Sequence, residues 1–417
     1  MVYQIVKKLK ICKELIKAEG FSRGIRIIYH KARSINRMKG VIKRDICKFY
    51  SFMNLSDKEC RIEYKKRKDG IIKLAWFIPD FGIGSGGHLN IFRTIKLLES
   101  YNVESDVYIC GNSQWGDARQ AKKIVDNYFF NLNSSFFIID EEEIESIGKQ
   151  YDGALATSWQ TAYYVRAFYQ CAKKFYFVQD FEPYFYAHGS LFAFAEETYN
   201  FGFYGITAGS WLENKLSREY KMKCKSFSFS YEKDLYYITE NREHEVKKLF
   251  FYSRPPTERR GFELGVLALE KFCEKNPDVV VIMAGWDVSE YHLPFKHFNA
   301  GVVKLEELPD LYNQCDAALI LSCTNLSLLP LELAACGCPV ILNEGENNSW
   351  IDPDKELFLY VKPTIEDISK QLEVVMNNRM KTKESFVSRT REFLLDSSWE
   401  KEAKKVYGYI TEFLEGK

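Results

Sequence analysis

Apolar positions along this chain fall into short, dense runs separated by helical stretches, and that alternation sets the expected fold. Ile71 to Pro79 (IIKLAWFIP) is almost continuously apolar, as befits a strand buried on both faces of a parallel sheet. A glycine-rich loop follows, then a helix from about His88 to Glu99 and a strand Val107 to Cys110. Further strands are predicted at Phe136 to Ile139, Ala154 to Thr157, Phe175 to Val178 and Ile206 to Ala208, with helix-like stretches between them. This βαβ succession predicts a doubly wound α/β sheet.

The same grammar restarts at Lys248 to Ser253, with strands near Val279 to Ala284, Ala317 to Leu321 and Pro339 to Leu342. Helices are predicted at about Phe262 to Glu274, Leu308 to Gln314 and Ser327 to Ala335. Helical segments near Ile365 to Met376, Ser385 to Leu395 and Trp399 to Leu414 close the chain. Two Rossmann-like domains in one chain place a cleft between the carboxyl ends of two sheets. The expected organisation is an extension over 1–70, a first domain over 71–245, a second over 246–395, and a terminal helix over 396–417 that packs back toward the first domain.

The extension has a different pattern. Val2, Ile5, Val6, Leu9, Cys12, Leu15 and Ile16 recur at helical spacing, with lysines at 7, 8, 10, 13 and 17 on the other side. Arg23 to Arg44 adds a second basic stretch carrying Ile25, Ile27, Ile28 and Ile35. Two readings fit: an interfacial anchor drawn to anionic head groups through residues 1–45, or a helix packed on the protein's own body with its lysines in water. Charge sharpens the contrast, because residues 1–73 carry 21 basic and 7 acidic groups, a net of +14, while the overall charge is only +1. A basic head on an acidic body suggests an anionic partner; no nucleic-acid partner is expected.

No apolar run reaches the roughly 18 to 20 residues of a membrane span, and the early lysines interrupt any signal-peptide core. The expectation is a cytoplasmic protein, or one peripheral on the inner face of the membrane. Eleven cysteines without paired spacing fit a reducing compartment and offer no zinc site. Aromatics make up 15% of the chain and cluster between Tyr163 and Tyr204, where they either floor a sugar site or fill the core.

Three segments carry candidate chemistry. Gly82, Gly84 and Gly87 satisfy G-x-G-x-x-G between a strand and a helix, so that Gly84, Gly86 and Gly87 would let backbone amides approach a diphosphate. A dinucleotide enzyme would also need an acid closing the second strand, whereas Asp106 precedes the predicted strand. His88, opening the helix, is a candidate for a phosphate or acceptor hydroxyl, or a cap residue.

After the strand LFFYS comes Arg254-Pro-Pro-Thr-Glu-Arg-Arg-Gly261. Arg254, Arg259 and Arg260 stand where a nucleotide diphosphate lies in such folds; surface ion pairs are the plainer alternative. Glu332 sits among apolar helix neighbours, which is costly unless a hydroxyl or cation partners it, and a ribose diol or a buried salt bridge would serve. Asp180 and Glu182 end a strand facing the cleft, either as substrate contacts or as caps.

On these motifs the second half resembles the nucleotide-sugar domain of the retaining family 4 glycosyltransferases of the two-Rossmann GT-B class. The likeness runs from about Phe250 to Leu342. It includes the arginine segment, the turn at Gly285, the Glu-Glu-Leu helix start ending at Leu308, and the helix end with Glu332; Ser397 to Glu400 also matches the family's last helix. Thr324 departs from it, standing where the family has the first of two glutamates, and Arg254 lies one residue farther from Arg260 than usual. The first half resembles the narrower WsaF-like group of rhamnosyltransferases of bacterial surface-glycan assembly, through Phe177 to Leu212 with its Gln-Asp-x-Glu-Pro piece.

The resemblance implies a glycosyltransferase with an acceptor-side domain first and a nucleotide-sugar domain second. Its implied donor is dTDP-rhamnose and its implied acceptor a growing surface polysaccharide or lipid-linked glycan. It implies donor contacts by the amides of Asn325, Leu326 and Ser327, with Gln179, Asp180 and Glu182 orienting substrate hydroxyls. No metal is expected, because the arginines can stabilise the departing diphosphate. A nucleotide-sugar epimerase, a non-catalytic glycan-binding subunit and, more remotely, an NAD-dependent oxidoreductase are the rival readings.

Overall fold

Two wholly parallel sheets organise the chain in a computed structural model that describes residues 45–239 and 245–416. The first contains β1 (Ile72–Ile78), β2 (Val103–Cys110), β3 (Ser135–Ile139), β4 (Tyr151–Ala156), β5 (Cys171–Val178), β6 (Tyr204–Ala208) and β7 (Lys223–Phe227), in the order β3-β2-β1-β4-β5-β6-β7. Between them run α1 (Gly86–Leu98), α2 (Ala118–Tyr128), α3 (Trp159–Ala167), α4 (Ser190–Glu197) and α5 (Ser210–Tyr220). In β1 every residue except Lys73 is buried, which explains the unbroken apolar run. The strand order reverses between β1 and β4, the point at which such folds open a crevice for ligands.

The second sheet has the order β10-β9-β8-β11-β12-β13. Its elements are β8 (Lys248–Tyr252), α6 (Phe262–Lys275), β9 (Val280–Ala284), β10 (His297–Gly301), α7 (Leu308–Asn313), β11 (Ala317–Ile320), α8 (Leu329–Ala335), β12 (Val340–Asn343), α9 (Glu346–Ser349) and β13 (Leu359–Val361). Then follow α10 (Ile365–Asn377), α11 (Arg379–Asp396) and α12 (Trp399–Leu414). α12 lies against the first sheet: Phe413 meets Tyr204 at 4.6 Å, Tyr407 stacks on Tyr101 at 5.0 Å, and Glu402 Oε2 accepts a hydrogen bond from Ser228 N at 2.7 Å.

Three strands escape the sequence reading, namely β7, β10 and β13. β7 and β10 are edge strands with half-exposed or exposed residues, and β13 has only three residues, so none presents a long apolar run. Strand β2 begins four residues before its expected start, and Asp106 therefore lies inside it rather than before it. The polar start is tolerated because neighbours compensate it: Asp106 accepts from Tyr151 Oη at 2.6 Å and pairs with Lys149, while Glu104 pairs with Lys73. Asp106 is nonetheless remote from the carboxyl end of β2, where a ribose-binding acid would stand.

Residues 52–417 form one compact unit containing both sheets; residues up to Ser51 belong to another. In that other unit Asp45 caps a single helical turn, Ile46–Phe49, through a 3.0 Å bond from Lys48 N. The basic helix expected over residues 2–17 and the basic stretch 23–44 lie outside the described residues. No helix among the described residues is long and apolar enough to cross a membrane.

Candidate functional site

The carboxyl ends of the two sheets meet at Asp180. This residue follows β5, yet its carboxylate is bound by the other domain: Oδ2 accepts from Thr324 Oγ1 at 2.8 Å and Oδ1 from Asn325 N at 2.8 Å. Arg259 Nε stands 3.8 Å from Oδ2. Burial raises the Asp180 pKa above its ordinary value, opposed by the Asn325 bond and by the charges of Arg260 and Arg259. A carboxylate thus stands beside Thr324, supplied from the opposite domain.

The arginine segment turns tightly. Thr257 N bonds Arg254 O at 2.9 Å, and a helical turn Glu258–Arg260 leads into α6. The three arginines then diverge in environment. Arg254 is exposed and donates only to Tyr252 Oη, at 3.2 Å. Arg259 lies with its guanidinium 4.0 Å from the centre of the Phe185 ring, and its buried Nε has no hydrogen-bond acceptor. Arg260 Nη1 donates to Ser322 Oγ at 2.9 Å. Arg254 and Arg259 thus keep guanidinium donors without protein acceptors, an arrangement suited to an oxyanion.

The loop after β11 is rigid. Asn343, Asn347 and Asn348 each donate an amide to Ser322 O, and Asn347 also bonds Thr324 O. Asn325 is spent entirely within the protein. Its Nδ2 donates to Gln179 O and Ala208 O, and its Oδ1 accepts from Trp350 Nε1 and Leu326 N. The amides of Asn325 and Leu326, expected to face a sugar, are bonded within the protein, the first to Asp180 and the second to Asn347 O. Ser327 differs, since its hydroxyl is buried without a partner.

On the first domain's side the polar residues are largely engaged. Gly84, Gly86 and Gly87 are exposed at the start of α1, and Gln179 Nε2 donates to Gly87 O at 3.0 Å. His88 Nδ1 pairs with Ser85 Oγ at 2.8 Å and Nε2 lies 3.3 Å from Pro79 O. Burial depresses its pKa to about 4. With both nitrogens committed, His88 fastens the glycine loop rather than presenting a group to substrate. Glu182, read as a substrate contact or a cap, makes a capping bond: its Oε2 accepts from Trp159 N at 2.5 Å at the start of α3, and burial raises its pKa to about 8.

Glu332 has protein neighbours that the sequence did not reveal. Burial raises its pKa to about 7, while the charge of Arg93 and a hydrogen bond with Tyr236 favour the ionised form and Glu232 opposes it. Arg93 itself is buried, donating to Glu232 at 2.9 Å and lying 4.3 Å over Trp399. Gly285 is required by close approach, with φ +115° and an added Cβ 2.6 Å from the Tyr252 ring. Leu308 opens α7 and is half-buried against the core. Ser322, the three asparagines and Phe185 were not singled out; the Asn-rich run after β12 was the available signal. Among the described residues no cluster of three or more potential metal ligands occurs.

Comparison with known proteins bears on this geometry. The family described as WsaF, C-terminal domain, matches residues 247–373. The O-antigen biosynthesis protein RfbC of Myxococcus xanthus is 32% identical over 349 residues, covering 82% of this chain and 27% of that protein. The chain thus spans about a quarter of the length of that curated relative. Sucrose-phosphate synthase from Thermosynechococcus elongatus superposes with a TM-score of 0.61 at 12% identity, over 83% of this chain and 100% of that one. Anabaena HepE in complex with UDP-glucose gives 0.62 at 13% identity, again over 83% and 100%. At such identities the likeness is one of fold, and it establishes the two-domain GT-B architecture expected from the sequence.

Proposed function

We propose that this chain is a retaining glycosyltransferase of bacterial surface-glycan assembly. It moves rhamnose from dTDP-rhamnose to a growing polysaccharide or lipid-linked glycan. The observation that carries this reading is the placing of Arg259 and Arg260 beside Asp180, with Arg254 near Arg259, where the carboxyl ends of the two sheets meet. The relationship to an O-antigen biosynthesis protein supports the glycan context.

In this reading Arg254 and Arg259 neutralise the charge that grows on the departing nucleoside diphosphate, where fixed cations in a water-poor cleft act most strongly. Arg260 is held by Ser322 and sets the turn. The helix start of α1 at Gly86 and Gly87 would add amide donors for the same diphosphate. Glu332 holds the ribose, and Asp180 and Gln179 position substrate hydroxyls once the Asp180 contacts to Thr324 and Asn325 open. No divalent cation is assigned a role. The protein works in the cytoplasm, and residues 1–45 hold it on the anionic inner leaflet.

Calorimetry with dTDP, UDP and GDP, followed by transfer assays with dTDP-rhamnose and surface glycan, tests the proposal. Binding of dTDP with transfer of rhamnose is expected. Turnover of the donor without acceptor would indicate an epimerase, and glycan binding without nucleotide binding a non-catalytic subunit. Flotation with anionic vesicles, with and without residues 1–20, tests the membrane attachment.

A further inference from the structure

The segment between β5 and β6 bears a surface for which the donor chemistry has no use. From Pro183 to Ala195 there is no Asp, Glu, Lys or Arg, in a chain of which 28% is charged. Yet this stretch is not core: Tyr184 is 44% exposed, His188 is open to solvent, and Phe192 is half-buried. The Phe192 ring centre lies 6.5 Å from that of Tyr184 and 4.7 Å from that of His188, with planes inclined by 36° and 37°. Three rings therefore stand in a row.

The row is braced and stripped of acid. Tyr184 packs edge-on against buried Phe181 at 4.7 Å, with Lys215 Nζ 5.3 Å from the Tyr184 ring centre. The bordering carboxylates are engaged inward: Glu182 with Trp159 N, Glu196 with Tyr220 Oη at 2.7 Å, and Glu197 with Tyr163 Oη at 2.9 Å. The chain neighbour of Tyr184, Phe185, lies under the Arg259 guanidinium, so the strip starts one residue from a contact with the arginine segment.

An exposed apolar strip joined to a ligand crevice marks a binding surface. The strip carries no charged side chain of its own and the adjoining Lys215 is paired with Glu219, which suits a neutral occupant. A sugar ring presents a C–H face that leaves water on contact with an aromatic face, while its hydroxyls remain solvated at the edge. Successive rings in a row match successive sugars in a chain. Resting on the glycosyltransferase reading, we propose that Tyr184, His188 and Phe192 form an acceptor platform that stacks the glycan beside the sugar receiving the new residue.

The test compares the full chain with the paired variant Tyr184→Ala and Phe192→Ala, and with the conservative pair Tyr184→Phe and Phe192→Tyr. Each is titrated with dTDP and UDP by calorimetry and applied to an array of bacterial surface polysaccharides and their oligosaccharides. The alanine pair should keep wild-type nucleotide affinity, which also shows that it is folded, and lose glycan binding by about tenfold or more. The conservative pair should retain both. Equal glycan binding by the alanine pair, or no glycan binding by wild type, overturns the platform. Vesicle binding that depends on Tyr184 and Phe192 would assign the strip to a membrane surface and overturn it too. Failure of wild type to bind any nucleotide, with ring-dependent glycan binding intact, would instead sink the transferase reading and leave the platform standing.

Discussion

The two walls of the cleft differ in how their polar groups are used. On the first domain's wall His88, Gln179 and Glu182 each bond to the protein itself. On the second domain's wall Arg254 reaches only a tyrosine hydroxyl, and the buried Arg259 Nε has no acceptor. Buried donors without partners are uncommon in a finished structure. One wall is therefore a completed scaffold that holds shape, and the other keeps positive charge in reserve for an anion. At Asp180 and at the Phe185 ring the scaffold borrows that charge.

The largest effect should come from prising the walls apart. Gly209 closes β6 with φ +94°, and a Cβ there would lie 2.5 Å from the Trp350 ring of the other domain. Overpacking of about 1–3 kcal/mol adds to left-handed strain of about 1–2 kcal/mol for alanine. Gly209→Ala should thus lower unfolding stability by about 2–5 kcal/mol in urea titration. A variant as stable as wild type would show that the seam is plastic and that the contrast between the walls is not fixed by packing.

Next in size is the charge held in reserve. Arg254→Ala removes an exposed side chain that the fold does not need, so stability should stay within about 0.5 kcal/mol. Affinity for a nucleoside diphosphate should fall by about 1.5–3 kcal/mol, the range for bonds to charged groups. Calorimetry giving unchanged affinity in the folded variant would remove Arg254 from the donor site.

Much of this architecture was legible because parallel strands buried on both faces leave dense apolar runs. β1, β8 and β11 announce themselves in this way, and the arginines directly after β8 inherit their place from it. The edge strands β7 and β10 were not legible, since one side of each faces no neighbouring strand and their residues need not be apolar. Pairings across the chain were equally hidden. Nothing local in Thr324 or Asn325 reveals that Asp180, 144 and 145 residues earlier, will occupy them. His88 and Glu182 were recognised as unusual residues, but whether such a group serves substrate or structure depends on partners that only the fold supplies.

Glu332 sharpens the comparison at smaller scale, because it belongs to the second wall yet lies near Arg93 of the first. Glu332→Gln should weaken nucleotide binding by about 0.5–1.5 kcal/mol, the net range for one neutral hydrogen bond. It should leave binding of inorganic diphosphate unchanged, because the proposed partner is the ribose. Equal loss for both ligands would give Glu332 to the seam with Arg93 and Tyr236 rather than to the donor.

The smallest effect concerns the pH dependence of the completed wall. Glu182 has a folded pKa of about 8 against a usual 4.5, so its share of stability is present below pH 4.5 and is lost as pH rises toward 8. His88, depressed to about 4 from 6.5, acts oppositely: its share is present above pH 6.5 and is lost as pH falls. Between pH 4.5 and 6.5 these two slopes cancel, and the raised Glu332 carboxyl leaves a net decline. Above pH 6.5 only the carboxyls remain, with Glu332 contributing up to about pH 7. Stability should therefore decline from pH 6.5 to 8. One fully shifted proton corresponds to about 1.4 kcal/mol per pH unit, and the bonds from Trp159 N and Tyr176 Oη, which favour the carboxylate, help set the pH at which that loss ends. Glu182→Gln keeps the shape of the protonated side chain and removes the titration, so its unfolding free energy should match wild type within about 1 kcal/mol near pH 4.5, should exceed it increasingly as pH rises toward 8, and should flatten above pH 7. Urea titrations at half-unit pH steps that return the wild-type slope in Glu182→Gln would show that this carboxyl is already ionised in the fold, and the first wall would then hold a negative charge facing the arginines.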